Sequence, residues 1–477
     1  MDPSQAQSLP VSQLSAVTLT TSPSDSLAVV ALNGSPTQQP LSDAPTDIYP
    51  SPTPRDDAQS NLGRESSLPP EILEMIFYAV LESPPAFEEY DFIYGDVFDS
   101  PATKEALSTF RLVNRAWNFV ATPLLFRKIQ AMIGCSTIRP LDKILMISQS
   151  PYALYVRDVH FGLLGIWLPG LGYDQYIEDL AEGILPLLMS RFKNVQTFRL
   201  QAPPLVDSFS PLALLMPDML AKLTNSFVHT LRFIPVPRLR CLHLSLPTTA
   251  EFARFLTTYS YSKSFAEICA GIEELHIIIN DSTGLGVRAT PRRPRSLIEA
   301  GFLIGQFTPY LVLLISHAKR IQVLSLNAYS WLDLSDLQAG SFSQLRSLRL
   351  EGVQVKPETL HQIFIEARNT LLRVELIDVK LLAGTWSEVF DVFQSSRLLP
   401  PPNLNWLHIS GCGYAMTGQY TTRGFSEVRQ ALWSTRGQDW IGLIAWMAMT
   451  NNNRSFQGLP PCPHSYFPTP PVITIDY

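Results

Sequence analysis

Eight times between residues 156 and 409 the chain repeats one spacing: an apolar residue, two others, an apolar residue, one other, and an apolar residue. The copies are Val156/Val159/Phe161, Val195/Phe198/Leu200, Leu239/Leu242/Leu244, Ile272/Leu275/Ile277, Ile321/Leu324/Leu326, Leu345/Leu348/Leu350, Leu371/Val374/Leu376 and Leu404/Leu407/Ile409. Residues two apart share one face of an extended strand, so each triplet describes a short strand with one buried side. Successive copies begin 39, 44, 33, 49, 24, 26 and 33 residues apart, each enough for a strand, a turn and a helix. Helical spacing fills 176–192, 250–265, 357–368 and 386–396, as in Leu360, Ile363, Phe364 and Ala367. One such unit cannot bury its own apolar face, so neighbours must stack into an α/β solenoid with a parallel sheet along one side. The same alternation is compatible with a doubly wound α/β domain, because periodicity does not fix strand order.

Composition narrows the function. With 477 residues the chain is too long for one compact core unless it is a repeat array. Charged residues make up 16% and the net charge is -6, which gives no global attraction for nucleic acid or anionic lipid. Cys135, Cys241, Cys269, Cys412 and Cys462 form no C-x-x-C pair, so neither a disulfide framework nor a zinc site is signalled and a reducing compartment fits. The opening residues lack the pattern of a secretory leader, and the best apolar runs, near 310–315 and 440–449, fall short of the roughly 20 residues that span a bilayer. The expectation is a cytoplasmic and/or nuclear protein with no membrane partner.

The chain divides by composition. Residues 1–66 are rich in Ser, Pro and Thr with one aromatic, Tyr49, and read as a disordered arm. Residues 67–130 form a helical unit interrupted by an acidic insert at 82–103, which reads as an exposed loop. Residues 135–425 hold the repeats, and 426–477 a C-terminal cap with a proline-rich tail. Trp433, Trp440, Trp446 and Met449 supply the apolar surface that shields the last repeat. Arg288, Arg292, Arg293 and Arg295 make a basic loop that reads as solvated.

The helical unit opens at Leu68-Pro69-Pro70-Glu71. Proline lacks an N–H and fits the first helical turn, where Glu71 also complements the helix dipole. Ile72, Leu73, Ile76, Phe77 and Val80 continue as one apolar face. After the insert, Leu107, Phe110, Val113 and Trp117 resume helical spacing, broken at Asn114, an N-cap or turn residue. Leu68, Pro69, Glu71, Ile72, Leu73 and Ile76, followed by Leu107 and by Arg111-Leu112-Val113-Asn114-Arg115-Ala116-Trp117, resemble the F-box motif of many fungal F-box proteins. The acidic insert departs from the short turn usual between the two halves. The triplets resemble the divergent leucine-rich repeats that often follow such motifs. The resemblance implies a non-catalytic substrate-recognition subunit of an SCF-type cullin-RING ubiquitin ligase. It implies docking on a Skp-family adaptor through Leu68, Pro69, Ile72, Leu73, Ile76, Leu107, Val113 and Trp117. Cullin and RING subunits would be reached through that adaptor, and an unknown protein substrate through the repeats. A non-ligase interaction scaffold is the alternative.

Alternation along the strands points the residues between the triplet positions outward. Candidate substrate-binding residues are His160, Arg199, His243, His276, Arg349, Glu351, Glu375, Trp406 and His408. Strand spacing of about 4.8 Å brings only His243 and His276 together among the four histidines. With no evident carboxylate or cysteine to complete a ligand set, no metal site is expected. G-x-S-x-G, G-x-x-x-x-G-K-[ST] and H-E-x-x-H are absent, so no catalytic residue and no cofactor is assigned.

Overall fold

The apolar triplets become the inner rows of one long parallel sheet. The computed structural model describes residues 68–81, 101–133, 140–163, 173–201, 216–246 except 235, 249, 252–253, 263–279, 304–394 except 339 and 341, 403–415 and 431–462. The N-terminal arm, the basic loop and most of the acidic insert and proline-rich tail lie outside these residues. Strands run at Lys128–Ile133 (β1), Asp158–Leu163 (β2), Thr197–Gln201 (β3), Cys241–Leu246 (β4), Glu274–Ile279 (β5), Val323–Asp333 (β6), Ser347–Val355 (β7), Arg373–Ile377 (β8), Lys380–Leu381 (β9), Trp406–Ser410 (β10) and Gly413–Tyr414 (β11). From β1 to β8 and on to β10 they pair in chain order, each pair parallel.

A doubly wound sheet reverses its strand order part-way and covers both faces with helices. Neither holds here. Strand order never reverses along that path, and burial alternates along β3, β7 and β10, one face closed and the other half-open. In each repeat the first apolar residue lies just before the strand and the other two on it, and all three are buried. The register aligns Ile129, Val159, Phe198, Leu242, Leu275, Leu324, Leu348, Val374 and Leu407 in one continuous inner row. Each such side chain removed from water contributes about 1.5–3 kcal/mol, offset by the entropy of ordering the chain.

Among the described residues three helices precede the sheet: Pro70–Leu81 (α1), Pro101–Phe110 (α2) and Arg115–Leu125 (α3). The last three residues of the acidic insert are therefore the first turn of α2 and not loop. Pro140–Gln149 (α4), Tyr173–Asp179 (α5), Leu185–Arg191 (α6), Met216–Phe233 (α7), Lys263–Ala270 (α8), Ile304–His317 (α9), Pro357–Glu366 (α10), Trp386–Gln394 (α11) and Gly437–Phe456 (α12) follow. Helices α7 and α9 occupy intervals where no helix was expected. Of the helix expected over 250–265, residues 254–262 lie outside the described stretches, and α8 continues to Ala270. Strand β1 is a further addition. It starts the sheet inside the segment assigned to the helical unit, because Ile129 and Ala131 face inward in register with Val159 and Phe161.

At the far end α12 packs on α11 and β10, burying Trp440 and Trp446. The indole N–H of Trp446 donates to the Phe390 carbonyl at 2.7 Å and that of Trp440 to the Ser434 carbonyl at 3.0 Å. The fully buried Asp439 carboxylate accepts from the Ser387 backbone N–H at 2.9 Å, the Ser434 hydroxyl at 2.5 Å and the Tyr414 hydroxyl. Burial, and then the bond to Asp439, push the Tyr414 hydroxyl well above its usual range. Among the described residues no helix is long and apolar enough to cross a membrane.

Candidate functional site

The N-terminal helices meet over a small core of Leu73, Phe77, Leu107, Val120, Ala121 and Leu124. The rings of Phe77, Phe110 and Trp117 close it, with centroids 5.0–5.2 Å apart. Asn114 caps α3, its side-chain oxygen accepting from the Trp117 N–H at 3.0 Å. That cap is the physical reason the helical pattern breaks where it does. Arg111 ties this unit to the helical turn Pro151–Tyr155 that leads into β2: it donates to Tyr152 at 3.4 Å and lies over the rings of Phe126 and Tyr152 at 5.4 and 5.5 Å.

This packing divides the eight expected adaptor contacts. Leu68, Ile72 and Val113 are 48%, 41% and 57% exposed, Pro69 is exposed, and Ile76 is half-buried. Leu73 and Leu107 are each 1% exposed, and Trp117 packs against the small core, so these three hold the helices together. The single apolar face read along α1 is in fact two faces. At 3.6 residues per turn Ile72 and Leu73 diverge by about 100°, and only the latter turns inward. Met75, Leu112 and Phe119 are exposed apolar side chains that were not among the expected adaptor contacts. The signal for Met75 is its place three residues after Ile72, on the same side of the helix.

The open face of the sheet carries three outward rows. Its central row runs Gln130, His160, Arg199, His243, His276, Ser325, Arg349, Glu375 and His408. Seven of the nine expected substrate-binding residues thus share one register position. Trp406 lies in the row that includes Cys241 and Glu274, and Glu351 in the row that includes Asn327.

Toward β7–β10 this face is closed by ion pairs. Arg349 donates to Glu375 at 3.0 Å and to Glu351 at 2.9 Å, while Arg373 Nε donates to Glu375 at 2.8 Å. Trp406 lies under two guanidinium groups, Arg373 at 4.9 Å and Arg454 at 5.7 Å. Toward β2–β5 the contacts are looser. Arg199 has no ion pair among the described residues, Glu274 is 3.8 Å from His276, and Asp158 is 3.8 Å from Arg127. Burial, then the neighbouring His276, Arg199, His160 and Lys128, push His243 down to about 3, so it is neutral at physiological pH. Its ring stacks on that of His276 with centroids 5.3 Å apart.

Cys241 and Glu274, directly opposite each other on β4 and β5, stand beside these histidines on the same face. The expectation that neither cysteine nor carboxylate accompanies the pair therefore fails. The signal was a Cys-x-His on one strand facing a Glu-x-His on the next, visible once the register is known. Burial and the nearby Glu274 push the Cys241 thiol up to about 12, and a hydrogen bond from His276 holds the Glu274 carboxyl below its ordinary value.

Three buried donors on the open face, Arg199 Nε, Arg349 Nε and Trp406 Nε1, have no hydrogen-bond partner among the described residues. Such atoms are rare in folded proteins, and a bound chain can supply the missing acceptors. No protein-family model matches this chain, and no curated protein matches its sequence.

Proposed function

We propose that this chain is the substrate-recognition subunit of an SCF-type cullin-RING ubiquitin ligase, with an F-box at residues 67–130 and a leucine-rich-repeat-like solenoid behind it. The observation that carries this reading is the three-helix unit at the start of the sheet. Its Phe77, Phe110 and Trp117 are used internally, while Leu68, Ile72 and Val113 remain exposed on the segments that resemble the two motif halves. The Skp-family adaptor docks there, cullin and RING subunits follow indirectly, and a protein target lies along the open sheet face. The subunit itself is not catalytic. It raises the effective concentration of a target lysine near a conjugating enzyme carried by the RING subunit. A protein of this kind works in the cytoplasm and/or nucleus.

Co-purification with a Skp-family adaptor and its cullin tests the reading. Burying each exposed aliphatic anchor contributes about 1.5–3 kcal/mol, so Leu68→Ala/Ile72→Ala weakens adaptor capture by one to several orders of magnitude. Because both side chains are already exposed, circular dichroism and thermal melting stay unchanged. If the intact protein captures neither partner, the ligase reading fails. Capture of adaptor without cullin identifies a non-ligase scaffold.

A further inference from the structure

Two adjacent strands present four side chains of the kinds that hold transition metals. Cys241-Leu242-His243 on β4 lies in register with Glu274-Leu275-His276 on β5, Cys241 opposite Glu274 and His243 opposite His276. The leucines turn into the core, so all four polar side chains emerge on the open face. The Cys241 sulfur, a Glu274 carboxylate oxygen and a His276 ring nitrogen all lie within 4.8 Å of one another. We propose that Cys241, Glu274 and His276 form a zinc-class divalent metal site on the open face of the sheet. This goes beyond the ligase reading and stands without it.

The donor set selects the metal class. Magnesium and calcium take oxygen ligands almost exclusively, whereas thiolate with imidazole and carboxylate suits zinc and its close chemical neighbours. Metal–sulfur and metal–nitrogen or –oxygen distances of about 2.3 and 2.0–2.2 Å place tetrahedral donors roughly 3.3–3.7 Å apart. The His276 Nε2 to Glu274 Oε2 separation of 3.8 Å is close to that geometry. The widest separation needs a closure of about 1 Å, within reach of side-chain rotation around an incoming ion.

Charge also decides between occupancy and repulsion. Arg199 on β3 is in register with His243, and Lys128 and His160 lie farther along the same face. Against these cations a bare dication is disfavoured. Coordination changes the balance: the metal–sulfur bond forms, the thiol proton leaves to solvent, and thiolate plus carboxylate offset both charges of the ion. The His243 ring, stacked on that of His276, holds the ligating imidazole in place. Glu274 is the most exposed of the three, so the cluster can be reached from solvent.

The test uses the full chain, stripped with a chelator and titrated with zinc or cobalt(II). One equivalent of zinc binds per chain by mass spectrometry of the metal, and cobalt gives a thiolate charge-transfer band. Cys241→Ser abolishes the band, and His276→Ala or Glu274→Gln weakens zinc binding by more than about tenfold. Loss of a mere supporting residue already costs 10–100-fold in other sites. Cys135→Ser and Cys462→Ser leave both readouts intact. Should Cys241→Ser unfold, half-exposed Glu274→Gln keeps the test valid, with folding checked by circular dichroism. No zinc uptake by the stripped protein, or uptake unchanged in Glu274→Gln and His276→Ala, overturns the proposal.

Discussion

The two halves of the open sheet face are built from the same backbone and differ in how tightly their charges are paired. On β7–β10, Glu375 is gripped by Arg349 and Arg373, Glu351 takes the other arm of Arg349, and Trp406 lies beneath Arg373. On β2–β5, His160, Arg199, His243 and His276 stand side by side, and Arg199 has no carboxylate partner among the described residues. A parallel stack imposes the same inner rows throughout and leaves the outer rows unconstrained. The closed half therefore uses its polar residues to hold the sheet, whereas the loose half keeps charge and metal-ligating groups available to a ligand.

The strongest way to break this contrast is Glu375→Ala. Glu375 is buried, and its loss removes the carboxylate that two arginines of the closed half share. Breaking a buried pair by removing one partner costs about 3–5 kcal/mol, the lower end applying here because Arg373 is partly exposed. The urea midpoint reads that loss at an unchanged slope. In the metal-free protein, Glu274→Ala in the loose half moves it by no more than about 0.5 kcal/mol. Equal effects would mean that the two halves do not differ in role.

A backbone position gives a somewhat smaller effect. The pairing of β6 with β7 shifts register between Asn327 and Leu332, and opposite that break Gly352 adopts a φ of 68°. A Cβ there would sit 2.0 Å from the Ala328 carbonyl oxygen. Gly352→Ala therefore combines a left-handed backbone with a clash, and the expected cost is about 1–3 kcal/mol by urea unfolding. An unchanged midpoint would show that the register break closes without a glycine, and that the arginine–glutamate contacts alone tighten this half.

Much of the sheet was legible because burial leaves a strict record. Val159 and Phe161, or Leu348 and Leu350, must be apolar two apart if one side of a strand is covered, and the triplets located β2 to β8 and β10. Outward residues carry no such record. Cys241 and Glu274 lie 33 residues apart in sequence, and only the register of two strands makes them neighbours. Strand β1 escaped because Lys128 and Gln130 follow the apolar end of α3 without a break in composition. Helix α9 escaped because Pro309 lies inside it, an unusual place for a residue that cannot donate a backbone hydrogen bond. In α1, apolar residues on two faces merged into one in the reading, and their separation decides which of Ile72 and Leu73 a partner can touch.

The smallest expected effect is the sharpest statement about the loose half. Arg199 stands between His160 and His243 in the central row, with no ion pair among the described residues and its Nε buried without a partner. If this arginine stabilised the fold, removing it would cost as much as removing a residue of the Arg349–Glu375 network. The physics points the other way. Arg199→Ala removes a like charge from a basic stripe and an unsatisfied buried donor, and loses only the packing of its aliphatic stem. These contributions oppose one another, so the urea midpoint stays within about 0.5 kcal/mol of the parent. Arg349→Ala, by contrast, removes the guanidinium that bridges Glu351 and Glu375, leaving Glu375 to Arg373, and lowers it by a clearly larger amount. A loss of 2 kcal/mol or more, on the order of a broken core contact, from Arg199→Ala would assign the basic stripe to the architecture and remove it as a surface kept for binding.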